Sequence, residues 1–540
     1  MSRCPREASP GSTRENYLLP PEPSAETVTA RVKAVAQFLR WGLPLCQTHT
    51  VEFYTRGLWE KFVALPPETV LGTLSGERLQ HLLAEPTPQR PLEEVADSSE
   101  FYNMFCKKTQ RLINVQAFAL AAKYYSMPNL GVCISLEQIL EALNRKQQSS
   151  SKVEMKTDNF MNNKKSHEVQ LMSDLVDGIA KYYGLNQVID LGSGKGYLSS
   201  FLSLQYNLKV YGIDSSNTNT HGANERNRKL KKHWTAYQRR AGENVRGQAL
   251  EEAKKRAEQD KEKCKANTSE KPLRTNNSLE SQVRVAVPDV AFETAELSPD
   301  PNICITKKQY ELNPEAQDCV IVGLHTCGDL APSTLRLFNA VPEIKAVCSV
   351  GCCYHLLSEE HEMHEEGTRG IWGFPLSRYL KEEGWFCGRN ARMAACLALE
   401  RVAVGQVLPT ESLFYRAVLQ VIVEECYGIK RSDRNIGKVY SKSSSFLDYV
   451  RTSLKKLELD ESKISDSLAL EYLEKYKHRM NELEAFNMLK VVLGPCIEVL
   501  ILLDRLCYLK EQDNVAWSGL VKLFDAIKSP RCYAVVALKK

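Results

Sequence analysis

Apolar residues recur three and four positions apart in "TVTARVKAVAQFLRWGLPL" and "INVQAFALAAKYYS", which predicts helices between residues 25 and about 150. The polar stretch "QQSSSKVEMKTDN" reads as a linker. After it, "NNKKSHEVQLMSDLVDGIAKYYG" has the pattern of an amphipathic helix ending at a C-cap, Gly184. The pattern then shortens to compact apolar runs. "QVIDL" and "LKVYGID" are predicted strands joined by a glycine-rich turn and a helix, a βαβ unit. "VRVAVPDVAF", "DCVIVGL" and "KAVCSV" continue the strands, and "DLAPSTLRLFNAVPEI" crosses between the last two. Residues from Leu356 to about Leu489 return to helical spacing. The chain closes with the helix "GPCIEVLILLDRLCYLKEQ" and two short strands, "GLVKLFD" and "CYAVVALKK", spaced for an antiparallel hairpin.

Composition narrows this picture modestly. Of 540 residues, 43% are hydrophobic and 25% charged, as in a globular protein with a substantial core. A net charge of +5 permits an anionic partner without arguing for one, because nucleic-acid binding needs clustered positive charge. The N-terminal "MSRCPREASPGSTRENYLLPPEP" is polar and lacks the apolar core of a secretory signal. The 17 cysteines are therefore expected as mostly free thiols in an intracellular setting, cytoplasm or nucleus. Val491–Leu509 is the most apolar window, yet Glu498, Asp504 and Arg505 within it favour a buried helix over a membrane span, and no membrane partner is expected.

The expected organisation is a disordered tail (1–24), a helical N-terminal domain (25–150), and a sheet-forming domain interrupted twice. Its first part covers 151–241, a charged low-complexity insertion 242–279, and its second part 280–354. A helical insertion (355–490) precedes the closing helix and strands at 491–540.

The candidate chemistry starts at "VIDLGSGKGYLSS". A P-loop would need glycine where Ile189 stands, and Gly196 follows Lys195 where Ser or Thr is required. The dinucleotide fingerprint would need glycine in place of Tyr197. The spacing Asp190, Gly192, Gly194, Gly196 is instead the D-x-G-x-G-x-G of class I S-adenosylmethionine-dependent methyltransferases. Glycines let the backbone approach a cofactor closely. Asp190 can orient a methionine ammonium, and the N–H groups opening the next helix suit its carboxylate. Asp214 ends the second strand, where a carboxylate can accept ribose hydroxyls. Ser193 and Leu324 complete the expected cofactor-binding set. Lys164, Lys165, His167 and Glu168 open the preceding helix, either as a hydrophilic helix start or with a lysine near the cofactor carboxylate or the substrate mouth.

A second group follows the fourth and fifth predicted strands in "GLHTCGDL" and "SVGCCYH". His325, Cys327, Cys352, Cys353 and His355 can converge there, because ligands bind beyond the carboxyl ends of such strands. Three readings stand side by side. One is an acceptor pocket with His325 as base, another a zinc site, and the third simple packing of small thiols. The H-x-C and C-C-x-H spacings are not a zinc knuckle, so no metal is assigned; His325, Cys352 and Cys353 are the catalytic candidates. Leu324-His325-Thr326-Cys327 replaces the N/D-P-P-Y/F grip of amino-methyltransferases, which disfavours adenine dimethylation.

"VIDLGSGKGYLS", "GLHTCGDLAPSTLR", "SVGCCYHLLSEE", "FPLSRYLKEE" and "LILLDRLCYLKEQ" together resemble the methyltransferase-like protein 25 family, from about Asn162 to Lys540. The resemblance implies an α/β, Rossmann-like class I methyltransferase. Its sheet would have seven mostly parallel strands and an antiparallel last strand, with the N-terminal helical domain and helical insertion added. It also implies S-adenosylmethionine as cofactor and an unassigned methyl acceptor, RNA and protein being the plausible classes. Transfer-RNA ribose methyltransferases have similar H-x-C-G and C-C-H segments, which is what brings RNA into view. The alternative is a methyltransferase-like scaffold or binding module without catalysis.

Overall fold

The computed structural model describes residues 19–84, 103–106, 108–144, 161–232, 290–294, 317–362, 370–430, 436–437 and 439–540. The charged insertion at 242–279 and most of the expected N-terminal tail lie outside the described residues. The chain forms two compact units. One comprises Met1–Pro20, Leu136–Leu324 and Ala340–Cys348; the other comprises Pro21–Ser135, His325–Asn339 and Ser349–Lys540.

The sheet has eight strands: β1 (Cys133–Ser135), β2 (Gln187–Leu191), β3 (Lys209–Asp214), β4 (Val290–Thr294), β5 (Cys319–Thr326), β6 (Ile344–Gly351), β7 (Val515–Lys522) and β8 (Tyr533–Lys539). Their order is β1-β7-β8-β6-β5-β2-β3-β4. Seven of them, β2 to β8, are those expected from the sequence, and β1 is an additional short strand at the edge. In the first unit β5, β2, β3 and β4 run parallel, with Val320 opposite Val188 and Val210 opposite Val290. Every residue of β2 is buried, Gln187 and Asp190 included, so "QVIDL" does not alternate between an inner and an outer face. In the second unit β7 and β8 form the closing antiparallel hairpin, and β1 pairs with β7 in parallel.

Helices complete both units. In the second unit α1 (Ala25–Gln47) buries Val28, Val32, Val35 and Leu39 along one stripe. The stripe faces the terminal helix Met480–Lys510, and each such side chain contributes about 1.5–3 kcal/mol. In the first unit α2 (Leu136–Asn144) packs on α3 (Asn163–Tyr183). Asn162 caps α3 by accepting the Lys165 N–H at 2.9 Å, and Gly184 ends it at φ +68°. Helix α4 (Tyr197–Tyr206) follows the glycine loop.

The terminal helix, α5 (Met480–Lys510), is long and apolar enough to cross a membrane, but 94% of its most apolar window is buried inside the fold. Two of its buried acids are partnered. Glu498 pairs with Arg531 at 3.1 Å and accepts from the Tyr354 hydroxyl at 2.8 Å. Asp504 accepts the backbone N–H groups of Leu376 and Ser377, each at 2.8 Å. Burial of such groups is tolerated when each is paired and hydrogen-bonded.

Candidate functional site

The first unit holds the glycine loop. Between β2 and α4 the backbone turns left-handed three times, at Gly192 (φ +69°), Gly194 (φ +55°) and Gly196 (φ +68°). An L side chain would strain each turn by about 1–2 kcal/mol, which accounts for the alternating glycines. The loop is tied to β3, since the N–H groups of Gly192 and Ser193 donate to the Ile213 carbonyl at 2.8 and 3.1 Å.

Asp190 is 1% exposed and accepts a hydrogen bond from the Ser199 hydroxyl at 2.6 Å. Burial pushes its carboxyl up to about 7; the Ser199 hydrogen bond opposes this, and the charge of Asp214 adds to it. Asp214 lies two residues beyond Gly212, which pairs directly with Asp190. Its Oδ2 accepts the Gly194 N–H at 2.9 Å, and its Oδ1 accepts Ser216 N–H at 2.9 Å and Asn219 Nδ2 at 3.1 Å. The second-strand acid and the glycine loop are therefore locked together. On the other side of β2, Val322 pairs with Asp190, which puts the half-buried Leu324 two residues further along β5.

These residues fit an adenosyl-sulfonium cofactor by their own chemistry. A buried carboxylate whose hydrogen bonds come from Ser199 alone, with no cation beside it among the described residues, suits a cationic ligand, and the methionine ammonium is one. Ser193 Oγ is a buried polar atom of the loop with no protein partner, as a ligand-facing hydroxyl would be.

Sequence reasoning missed three features of this region. Ser199, which supports Asp190, sits one turn into α4 and looks like any small helical residue. Tyr197, seen in the sequence only as the residue that breaks a dinucleotide motif, carries the Lys165 ammonium 4.3 Å and the Arg226 guanidinium 4.0 Å from its ring centroid. Glu168 is not on a hydrophilic helix start; it is buried and paired with Lys164 at 3.5 Å.

The second unit holds the histidine and cysteine residues. His325, half-buried, takes φ +66°, uncommon for a residue with a Cβ. Thr326 Oγ1 meets Ser349 Oγ at 3.0 Å and donates to the Val350 carbonyl at 3.0 Å, fastening the ends of β5 and β6. Just beyond them three sulfurs converge. Cys327 Sγ is 3.0 Å from that of Cys352 and 3.3 Å from that of Cys353, and the latter two are 3.5 Å apart. The hydrogen bond with Cys352, followed by that with Cys353 and the nearby His325, outweighs burial and holds the Cys327 thiol down to about 6. Cys352 is pushed up, chiefly by the same contact with Cys327, and Cys353 chiefly by burial. His355 points to another thiol, with Nδ1 3.7 Å from Cys396 Sγ; Cys396 was not anticipated. The loop after β6 is held from below by Arg392, 2% exposed, which pairs with the fully buried Glu359 at 2.9 Å and donates to the Tyr354 and Leu357 carbonyls. The cysteines among the described residues are free thiols.

Known proteins agree with this geometry. The family model described as "Methyltransferase domain" matches residues 164–360. The human "Probable methyltransferase-like protein 25" is 53% identical over 598 aligned positions, covering 97% of this chain and 99% of its own. The mouse protein of the same name is 49% identical over 592 positions, covering 97% and 98%. Identity at that level along nearly both full lengths, together with the Asp190 loop and the strand order of the sheet, makes this chain a member of the methyltransferase-like protein 25 family, with a Rossmann-like methyltransferase domain.

Proposed function

We propose that the glycine loop of the first unit binds S-adenosylmethionine and that the chain is an active methyltransferase rather than a scaffold. The observation that carries the reading is Asp190, a buried carboxylate in want of a cation, directly ahead of three left-handed glycines. The bound cofactor would supply a methyl group already activated by a sulfonium. The chain supplies placement. Asp190 takes the ammonium, Ser193 Oγ offers a hydrogen-bonding hydroxyl, and Asp214, fixed by Gly194, Ser216 and Asn219, presents its carboxylate to the ribose. Leu324 lends an apolar edge. Lys165 and Arg226, gathered on Tyr197, bring positive charge suited to the methionine carboxylate.

Displacement at a sulfonium needs orientation above all, which rigid strand ends provide. His325 is the base this chain offers to an acceptor that must lose a proton. Calorimetric titration with S-adenosylmethionine tests the cofactor assignment. Wild type should bind and Asp190→Asn should bind far more weakly; a folded wild type that does not bind overturns the assignment. Methyl labelling of cell extract with radioactive cofactor, separated into RNA, protein and small molecules, then identifies the acceptor. Cofactor-loaded protein that labels none of the three would favour the scaffold.

A further inference from the structure

We propose that Cys327, Cys352 and Cys353 are ligands of a zinc ion. Their sulfurs lie mutually within 4.8 Å, the only group of three or more metal-type donors that does so among the described residues. They come from two strand ends that the Thr326 hydroxyl has already fastened, so the donors are placed before any ion arrives.

The number of sulfurs matters. A disulfide takes two thiols and would leave the third in contact with it, whereas here each sulfur touches both others at 3.0 to 3.5 Å. A tetrahedral zinc with Zn–S near 2.3 Å holds its sulfurs about 3.8 Å apart, so occupancy needs them to part by less than about 1 Å. An iron–sulfur cluster would have to spread them much further. The three side chains also divide the tasks of a site. Cys327 is exposed and gives an ion access, while Cys352 and Cys353 are half-buried. Three thiolates this close would repel one another strongly, and a bound dication would let them coexist.

The surroundings are built to hold the donors still. Arg392 donates to the carbonyls of Tyr354 and Leu357, immediately beyond the paired cysteines, and is itself anchored on Glu359. Outer partners of this kind fix metal ligands in place. The next donors are Cys396, whose Sγ is 3.5 Å from the Cys352 carbonyl oxygen, and His355 beside it. On this reading Cys352 and Cys353 hold a metal rather than acting as catalytic groups. The proposal stands independently of the cofactor assignment, since its readout is the ion itself.

Full-length protein should be purified without a metal-affinity tag, supplied with zinc, dialysed against a weak chelator and assayed for metals by mass spectrometry. Wild type should retain about one zinc per chain, as should Cys426→Ser, which alters a half-buried thiol elsewhere. Cys352→Ser and Cys353→Ser should retain almost none. Cobalt(II) added to metal-free wild type should give the intense near-ultraviolet bands of thiolate-to-cobalt charge transfer. That spectrum decides the matter if the serine variants fail to fold. A folded wild type with no zinc and no such bands, serine variants that keep the wild-type zinc, or iron in place of zinc would each overturn the proposal.

Discussion

The glycine loop and the cysteine cluster are both built where strands end, yet they are built differently. The loop is nearly all one segment, Asp190 to Gly196, completed by one acid on the adjacent strand. The cluster draws on two segments 25 positions apart, with a third beneath it that contributes the buried Arg392 and, beside the three sulfurs, Cys396. A local site can be broken at its function while the fold stands. A site assembled from distant segments is expected to lose its structure first.

The largest effect should follow from Arg392→Ala. It leaves Glu359 buried without its cation, and stranding one partner of a buried pair costs about 3–5 kcal/mol. Glu359 keeps the Cys387 and Gly388 N–H donors at 2.7 and 2.8 Å, so the lower end of that range is expected. Urea denaturation of the full chain should show it, and adding Glu359→Gln should recover much of the loss. If the single variant is as stable as wild type, the loop after β6 is not held as described.

Asp190→Asn should behave in the opposite way. It keeps the Ser199 hydrogen bond and removes a charge that burial disfavours, so the cofactor-free protein should melt no lower than wild type at pH 8. Cofactor affinity should fall about 30- to 150-fold, the value of a charge-assisted hydrogen bond of roughly 2–3 kcal/mol. A variant that loses stability along with affinity would erase the contrast between the two regions.

Gly494→Ala probes the second unit without touching a charge. A Cβ there would stand 2.6 Å from the Ala394 carbonyl oxygen, a backbone atom. The overlap should cost about 1–3 kcal/mol and outweigh the helix propensity gained, up to about 1 kcal/mol. The same denaturation experiment measures it.

The contrast also explains what the sequence disclosed. Asp190, the three glycines and Asp214 were legible because their chemistry is written in adjacent letters and needs only a strand, a turn and a second strand. The expected seven strands were legible for a similar reason, since buried parallel strands are short unbroken apolar runs. The cysteines were legible as candidates but not as a triad, because only the fastening of β5 to β6 by Thr326 brings their sulfurs together. The Arg392–Glu359 pair was not singled out, because nothing in the sequence joins two charges 33 positions apart. The packing of α1 on α5 was not legible, because the two helices lie at opposite ends of the chain.

The carboxyl of Asp190 gives the loop a pH signature that the cluster does not share. At about 7 it lies above the ordinary aspartate value of about 3.9, so it favours the folded state below the latter and loses that contribution as pH rises through 7. Cofactor binding requires the ionised form. Affinity should therefore weaken by up to roughly tenfold per unit as pH falls below 7 and level off above it. The thermal shift caused by the cofactor should correspondingly grow between pH 5 and 8. Asp190→Asn should flatten both dependences, and a wild type with no pH dependence would remove the ammonium contact from the proposed site.

The smallest expected effect bears on a feature that neither the motif nor the family name supplied. Lys165 and Arg226 both approach the ring of Tyr197, the residue directly after the last loop glycine. Two cations gathered on one ring repel each other, and the ring offsets this only in part, at roughly 0.5–1 kcal/mol for each contact. An anion nearby would relieve the repulsion, and the methionine carboxylate is the anion that the proposed function brings. Lys165→Ala and Arg226→Ala should each weaken S-adenosylmethionine binding by about two- to fivefold, the equivalent of such a contact. Binding of methylthioadenosine, which lacks the amino-acid group, should not change. An equal loss for both ligands would mean that the cations only brace Tyr197 and the loop behind it, and the positive charge would then belong to the architecture of α3 and α4 rather than to recognition.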